Sequence, residues 1–211
     1  VMKGIERVPG VEYTVLIPNL RGAERALTVG VDEFNLVMSV SEAHNQANLR
    51  MSRADSAKAL GDVIRLAHES DVAVNISLST SFGCPMSGIT PVSELMQWID
   101  HFADEGVRGI SICDTTGMAN PKHVREVCEL AVSKHPDIEW TLHFHNTRGM
   151  GLANALAAVN SGIDRFDSSL GGLGGCPYAP GATGNICTEE LVHMLDLMGF
   201  DTNMQIDSLL V

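Results

Sequence analysis

The sequence predicts an α/β protein, a (β/α)8 barrel that lacks about two of its eight strands. Three observations favour this fold class. Short apolar runs alternate with longer amphipathic segments in about six repeats, spaced by roughly 30 residues. Polar residues end most of the apolar runs. The chain has 211 residues, whereas a complete barrel needs about 250.

The apolar runs, which are typical of strands, are YTVLIP, FNLVMSVS, VAVNISLS, GISIC, WTLHFHN and IDRFDSSL. The segments between them have the apolar spacing of helices, and they are RGAERALTVG, the long segment from Ser41 to His68, VSELMQWIDHFADEG, PKHVREVCELAVSKH, GLANALAAVNSG and TEELVHMLDLMGF. The opening VMKGIERVPG is typical of the last turns of a helix before a Pro-Gly stop. This alternation predicts a parallel sheet with crossover helices.

An open doubly wound sheet would have the same alternation, and the polar strand ends distinguish the two. These ends are Asn19, Ser41, Ser79 to Ser81, Asp114, His145, Ser168 and Ser169. A barrel gathers all its strand ends at one mouth, whereas a doubly wound sheet gathers only those at its switch point. The barrel is therefore favoured. Because the chain opens on Val1 rather than Met, we expect the missing strands to precede it.

The composition is that of one globular domain over residues 1–211, with 45% hydrophobic and 19% charged residues. A net charge of -12 with scattered basic residues argues against nucleic acid and anionic membranes as partners. No apolar run approaches the roughly 20 residues of a membrane span, and no signal-peptide pattern opens the chain. We therefore expect a protein that is not embedded in a membrane.

The five cysteines contain no CxxC pair, so they fit neither a disulfide framework nor a structural zinc site. This usage is typical of a reducing compartment. We expect the cytoplasm, with the mitochondrial matrix as the alternative if a transit peptide precedes the chain.

His143 and His145 are one residue apart in a predicted strand, so both imidazoles point to the same side. This is the geometry of a pair of metal ligands. A solvated histidine patch is the alternative, but Asn146, Thr147 and Arg148-Gly149 mark a strand end, which in a barrel is the catalytic mouth.

If a metal binds there, oxygen ligands from neighbouring strand ends should complete the site. Asn185, which closes a glycine-rich loop, is well placed, although an N-cap of the next helix is the alternative. Imidazole with amide and carboxylate oxygens suits Mg²⁺ or Mn²⁺.

That loop, GGLGGCPYAPGATGN, has six glycines and two prolines around Cys176. Glycines allow the backbone to approach a ligand closely, and a thiol on a loop beside a metal can act as an acid or base. A phosphate-binding loop is the weaker alternative, because neither GxxxxGK[ST] nor GxGxxG between a strand and a helix is present.

Two acidic residues are further candidates. Asp114 ends the run GISICD, where it either caps the next turn or faces the mouth. Glu189 follows Asn185 by four residues, on the same helical face, so it either supports the site by hydrogen bonding or is a surface residue of the first helical turn.

Three stretches together resemble the 3-hydroxy-3-methylglutaryl-CoA lyase family of metal-dependent barrel enzymes. They are LHFHNTRGMGLAN, DSSLGGLGGCPYAPGATGN and ICTEELVHML, and the resemblance extends over the whole chain. It implies cleavage of 3-hydroxy-3-methylglutaryl-CoA to acetyl-CoA and acetoacetate, as in leucine catabolism, and commonly a homodimer. The alternatives are a lyase for a related 3-hydroxyacyl-CoA, or a condensing synthase that runs in the reverse direction.

The resemblance also implies roles for individual residues. His143, His145 and Asn185 match metal ligands for Mg²⁺ or Mn²⁺, Cys176 matches a catalytic acid or base, and Asp114 and Glu189 match the family's strand-end Asp and helical Glu. Asn146 and Arg148 stand where the common HxHDTYG motif has Asp and Tyr, so they are predicted to lie beside the substrate.

The family's first strand supplies an Asp ligand and an Arg, and its second strand supplies a Glu, none of which matches a residue here. We therefore expect residues 1–211 alone to be inactive.

Overall fold

A computed structural model describes residues 2–175 and 184–210. Its strands are β1 (Thr14–Ile17), β2 (Glu33–Ser39), β3 (Ala73–Ser79), β4 (Gly83–Cys84), β5 (Gly88–Ile89), β6 (Gly109–Asp114), β7 (Glu139–Phe144) and β8 (Arg165–Asp167). Its α-helices are α1 (Leu20–Leu27), α2 (Glu42–Leu49), α3 (Arg53–Glu69), α4 (Val92–Asp104), α5 (Pro121–Lys134), α6 (Gly151–Val159), α7 (Thr188–Leu197) and α8 (Ile206–Leu209). Short 3-10 helices cover Met2–Gly4 and Leu170–Gly172.

Within the described ranges, six strands form one parallel sheet in the order β1-β2-β3-β6-β7-β8. Each strand of this sheet pairs with the preceding one, so the order never reverses. A doubly wound sheet reverses at its switch point, whereas a barrel adds its strands in sequence. The sheet is therefore an open part of a barrel, as the strand ends predict.

Side chains alternate between the two faces of the sheet, as in β2. Phe34, Leu36 and Met38 are fully buried and belong to the hydrophobic core with residues of the surrounding helices. The opposite face is polar, and there Nδ2 of Asn75 donates to Oδ1 of Asn35 at 3.0 Å and to Oγ of Ser111 at 2.9 Å. Burial of the apolar face stabilises the sheet, and the polar side chains of the other face bond to one another.

The long helix expected between Ser41 and His68 is interrupted, which corrects that prediction. Arg50 ends α2 in the left-handed region (φ 58). Ser52 then begins α3, where its side chain accepts a hydrogen bond from the Asp55 amide. The apolar spacing continues across the break, so periodicity alone did not reveal the new N-cap.

The six predicted strands are confirmed to within a few residues, but several short elements were not predicted. These are the antiparallel hairpin of β4 and β5, the 3-10 helix Leu170–Gly172 and helix α8. At the opening, where the last turns of a helix were expected, there is only the 3-10 helix Met2–Gly4. Elements of two to four residues have too little periodicity to be recognised in a sequence.

Residues 2–175 and 184–210 contain no helix with the length and apolar character of a membrane span.

Candidate active site

The two histidines of the HxH pair lie together at the carboxyl end of β7. The centres of the His143 and His145 rings are 5.2 Å apart. Phe144, between them, points to the other face of the sheet and is fully buried against Phe82. The alternation of β7 therefore places both imidazoles on the inner face, as the spacing predicts.

Asn185 pairs directly with His145 through an isolated antiparallel bridge. The segment around it is held to β7 by hydrogen bonds from the Ile186 amide to the Phe144 carbonyl at 3.0 Å and from the Asn146 amide to the Gly184 carbonyl at 3.0 Å. Gly174 allows this close packing, because a Cβ there would lie 2.6 Å from Asn185 Nδ2 and the residue has a φ of +117°. The structure thus brings together the three predicted metal ligands.

Two buried polar atoms of this group lack a hydrogen-bond partner among the described residues. They are Nδ1 of His145 and Oδ1 of Asn185, whereas Nδ2 of Asn185 donates to the Leu173 carbonyl at 2.8 Å. Buried polar atoms without a partner are costly unless a ligand satisfies them. Imidazole nitrogens and an amide oxygen therefore fit a divalent cation, although the described residues contain no cluster of three His, Cys, Asp or Glu that would hold one alone.

Burial controls the protonation of His145. Loss of hydration, assisted by the neighbouring His143, lowers the pKa of the His145 imidazole to about 4. The ring is therefore neutral at pH 7, which is the form that can donate a lone pair to a ligand.

Asp167 is a residue of the site that sequence reasoning missed. It lies opposite His143 in the register of β7 and β8, and its Oδ2 is 3.3 Å from His143 Nδ1. The signal available in the sequence was its position at the end of the run IDRFD, where alternation puts it on the inner face.

Asp114 is buried at the end of β6. Its Oδ1 accepts hydrogen bonds from the Met118 amide at 2.7 Å and the Ala119 amide at 3.1 Å, so it does cap the following turn. Its buried Oδ2 has no partner in the described part of the chain. Burial raises the pKa of the carboxyl to about 6, although the two amides and the charges of Arg148 and His143 act in the opposite direction. Such a group exchanges a proton near neutral pH.

Arg148 joins the loops that follow β6 and β7. Its Nη1 donates to the carbonyls of Thr116 at 2.6 Å and Gly117 at 3.0 Å. Gly117 has a φ of +62°, and a Cβ there would lie 2.9 Å from Thr147, so the two loops are in close contact. Arg148 thus holds the loop whose Met118 and Ala119 amides donate to Asp114.

Asn146, the other residue predicted to lie beside the substrate, supports the start of α6. Its Oδ1 accepts a hydrogen bond from the Gly151 amide at 3.0 Å. The oxygen of this side chain therefore has a structural partner within the chain.

Glu189 connects the first turn of α7 to the 3-10 helix Leu170–Gly172. Its carboxylate oxygens accept from the Gly171 amide at 3.1 and 3.0 Å, and Oε2 also accepts from Cys187 Sγ at 2.8 Å. Chiefly because of the Cys187 hydrogen bond, the pKa of Glu189 is lowered. Asn185 is not among these partners, and Cys187 is a contact that the sequence did not suggest.

Cys176, the predicted acid or base, lies outside the described residues.

The fold and the site define a barrel-type α/β protein whose candidate ligand site lies among polar side chains at the carboxyl ends of its strands. The family model described as HMGL-like matches residues 1–211. The chain belongs to this family.

The chain is similar in sequence to lyases that act on acyl-CoA substrates according to their names. The chain is 42% identical over 210 residues to a hydroxymethylglutaryl-CoA lyase of Bacillus subtilis, covering all of this chain and 70% of the relative. It is 37% identical over 198 residues to an (R)-citramalyl-CoA lyase of Chloroflexus aurantiacus, covering 94% of this chain and 62% of the relative.

Among solved structures, an HMG-CoA lyase of Acinetobacter baumannii in complex with coenzyme A and 3-methylmalate matches 99% of this chain and 68% of that one, with a TM-score of 0.94 and 44% identity. The chain therefore spans about two thirds of the relatives that it matches.

Proposed function

We propose that the protein to which this chain belongs cleaves 3-hydroxy-3-methylglutaryl-CoA to acetyl-CoA and acetoacetate. The observation that carries the proposal is the group formed by His143, His145 and Asn185 at the barrel mouth, with one buried polar atom of His145 and one of Asn185 that lack a partner among the described residues. The relatives named as hydroxymethylglutaryl-CoA lyases support it.

The three residues would hold Mg²⁺ or Mn²⁺. When bound, such an ion polarises the oxygens of the substrate and stabilises the negative charge that develops on them during the reaction. The ligand set supports this assignment because imidazole and amide oxygen suit borderline and hard divalent cations.

The chemistry requires removal of the C3 hydroxyl proton, cleavage of the C2–C3 bond and protonation of the departing carbon. We assign the first proton transfer to Asp114, because its carboxyl has a pKa of about 6 and an unpaired Oδ2. The electron pair of the O–H bond forms the ketone, and the C2–C3 pair remains on the acetyl-CoA enolate.

Cys176 is assigned the second proton transfer, to the enolate carbon. This assignment is based on its place in the glycine-rich loop of the sequence. Asp114 has then gained one proton and Cys176 has lost one, so exchange with water returns both groups to their starting states. Glu189 supports the start of α7 beside this loop, and Asn146 and Arg148 remain assigned to the substrate side of the mouth.

A second candidate substrate is citramalyl-CoA, a related 3-hydroxyacyl-CoA. The identity to an (R)-citramalyl-CoA lyase favours it, as do Asn146 and Arg148 in place of Asp and Tyr. Cleavage of that substrate would release pyruvate instead of acetoacetate. By analogy with the family, we further propose a cytoplasmic homodimer that takes acyl-CoA substrates.

The deciding experiment compares the two substrates with the complete protein. Acetoacetate release from 3-hydroxy-3-methylglutaryl-CoA should require Mg²⁺ or Mn²⁺ and stop with EDTA. Faster pyruvate release from citramalyl-CoA would support the second candidate. No metal-dependent release from either substrate by folded protein would contradict the proposed function.

A further inference from the structure

We infer that Asp167 is a positioning residue that orients the His143 imidazole for metal binding. The inference rests on the proposed metal site but concerns a residue outside the predicted ligand set. Its basis is the contact of 3.3 Å between Asp167 Oδ2 and His143 Nδ1.

The sheet fixes the place of this carboxylate. Cys113, His143 and Asp167 lie side by side in the register of β6, β7 and β8, and all three are on the inner face. Because β8 ends at Asp167, the side chain stands at the mouth, where it is 46% exposed and the His143 side chain is 28% exposed. The contact is thus set by strand pairing rather than by a flexible loop.

The contact also fixes the chemistry of the ring. A carboxylate oxygen accepts hydrogen bonds, so Nδ1 of His143 is the donor in this contact. Nε2 is then the ring nitrogen that is left for a metal ion. A carboxylate behind a histidine in this way orients the ring and raises its basicity as a ligand.

The two histidines of the pair therefore differ. His143 has a carboxylate partner at Nδ1, whereas Nδ1 of His145 is buried without a partner in the described part of the chain. We expect loss of Asp167 to affect the site through His143 alone.

The test measures Mn²⁺ affinity by the electron paramagnetic resonance signal of free Mn²⁺, with the complete protein and without substrate. Asp167→Ala should weaken binding by about 10–100-fold, the range for partners of metal-binding histidines. Asp167→Asn, which keeps an acceptor oxygen, should recover part of that loss. Asp164→Ala is the matched control, because Asp164 is exposed at the other end of β8, and its affinity should equal that of the wild type.

A second measurement does not need the metal. Long-range ¹H–¹⁵N spectra of histidine-labelled apoprotein report which ring nitrogen of His143 carries the proton, with the resonance assigned through His143→Gln. Wild type should show the Nδ1–H form, and Asp167→Ala should reduce its population.

The outcomes separate the two proposals. Unchanged Mn²⁺ affinity and an unchanged tautomer in folded Asp167→Ala would overturn the inference. A loss in Asp167→Asn as large as that in His143→Ala would also overturn it, because it would make Asp167 a direct ligand. Failure of the wild type to bind Mn²⁺ or Mg²⁺ would overturn the proposed metal site, while the tautomer measurement would still decide the role of Asp167.

Discussion

The two ends of the sheet differ in how far their charged and polar groups are paired. At the amino ends of the strands, Arg108 donates to Glu12 at 2.9 and 2.8 Å and to Glu33 at 2.6 Å. Glu139 there accepts from Arg165 and lies 3.4 Å from Arg108 Nε. At the carboxyl ends, one side-chain polar atom each of Asp114, His145 and Asn185 is buried without a partner in the described part of the chain.

This difference separates stability from function. Paired charges at the amino ends stabilise the fold, and mainly the hydrogen bonds to Glu12 raise the pKa of Arg108. Buried polar atoms without partners at the carboxyl ends lower the stability of the fold, and such atoms are typical of sites where a ligand pairs with them. In barrels the amino-terminal face generally serves stability and the carboxyl-terminal face catalysis.

The strongest test of the contrast is His145→Ala, which removes one of these buried polar atoms. We expect divalent-metal affinity to fall by more than about 100-fold, beyond the loss of an outer partner. Calorimetric titration with Mn²⁺ measures it. Replacement of the exposed His193 by Ala is the control, and unchanged affinity of His145→Ala would remove this residue from the site.

Asp114→Asn tests whether the buried carboxyl of Asp114 supports turnover while it lowers the stability of the fold. Turnover should fall by about 100-fold or more, as for loss of an acid or base. Because the pKa of the folded carboxyl is raised from 3.8 to about 6, the folded state binds more protons in this window, and its contribution to stability declines as pH rises through it.

The stability of Asp114→Asn relative to wild type, measured by urea unfolding, should therefore increase as pH rises from 4 to 6. A constant difference across this range would show that Asp114 has an ordinary pKa.

Arg108→Met tests the stabilising end. The Glu33 side chain is only 10% exposed, so it would lose its charge partner in a poorly solvated position. We expect a loss of about 2 kcal/mol in the free energy of unfolding, less than for a fully buried pair, with Mn²⁺ affinity unchanged. Weaker Mn²⁺ binding with an unchanged free energy of unfolding in Arg108→Met would contradict the assignment of the amino ends to stability.

Arg148→Met should have an intermediate effect on the mouth. Loss of its hydrogen bonds to Thr116 and Gly117 should speed amide exchange in residues 116–119 and lower kcat by about 10-fold, within the range for a positioning group. Arg125→Met, on the exposed face of α5, is the control. A rise in KM alone, with unchanged exchange, would instead support direct binding of the substrate.

The smallest effect is expected from Cys187→Ala. It removes one hydrogen bond to Glu189, and that bond is the largest cause of the lowered pKa of Glu189. A lowered carboxyl pKa stabilises the fold at pH values above the ordinary pKa, and this stability is lost as pH falls through the lowered pKa. Acid unfolding should begin at slightly higher pH than in wild type, and Cys187→Ser should restore the wild-type midpoint. An identical midpoint in Cys187→Ala would show that the contact adds nothing.

Much of this architecture could be predicted from local pattern. The alternation of β7 placed His143 and His145 on one face, and the polar strand ends indicated a barrel. The break at Arg50 was missed because apolar spacing continues through it. Asp167 and Cys187 were missed because their partners come from another strand or from the fold of the loop that they join.

The sequence by itself determined the strands, most helices, the family and the identity of the candidate ligands, because these depend on periodicity and on residue type at short spacing. Only the tertiary structure decided that Asn185 meets His145, that Asp167 stands behind His143 and that Arg148 holds the loop after Asp114. Such contacts depend on strand register and on which polar atoms remain buried without partners, and neither is encoded in any one segment.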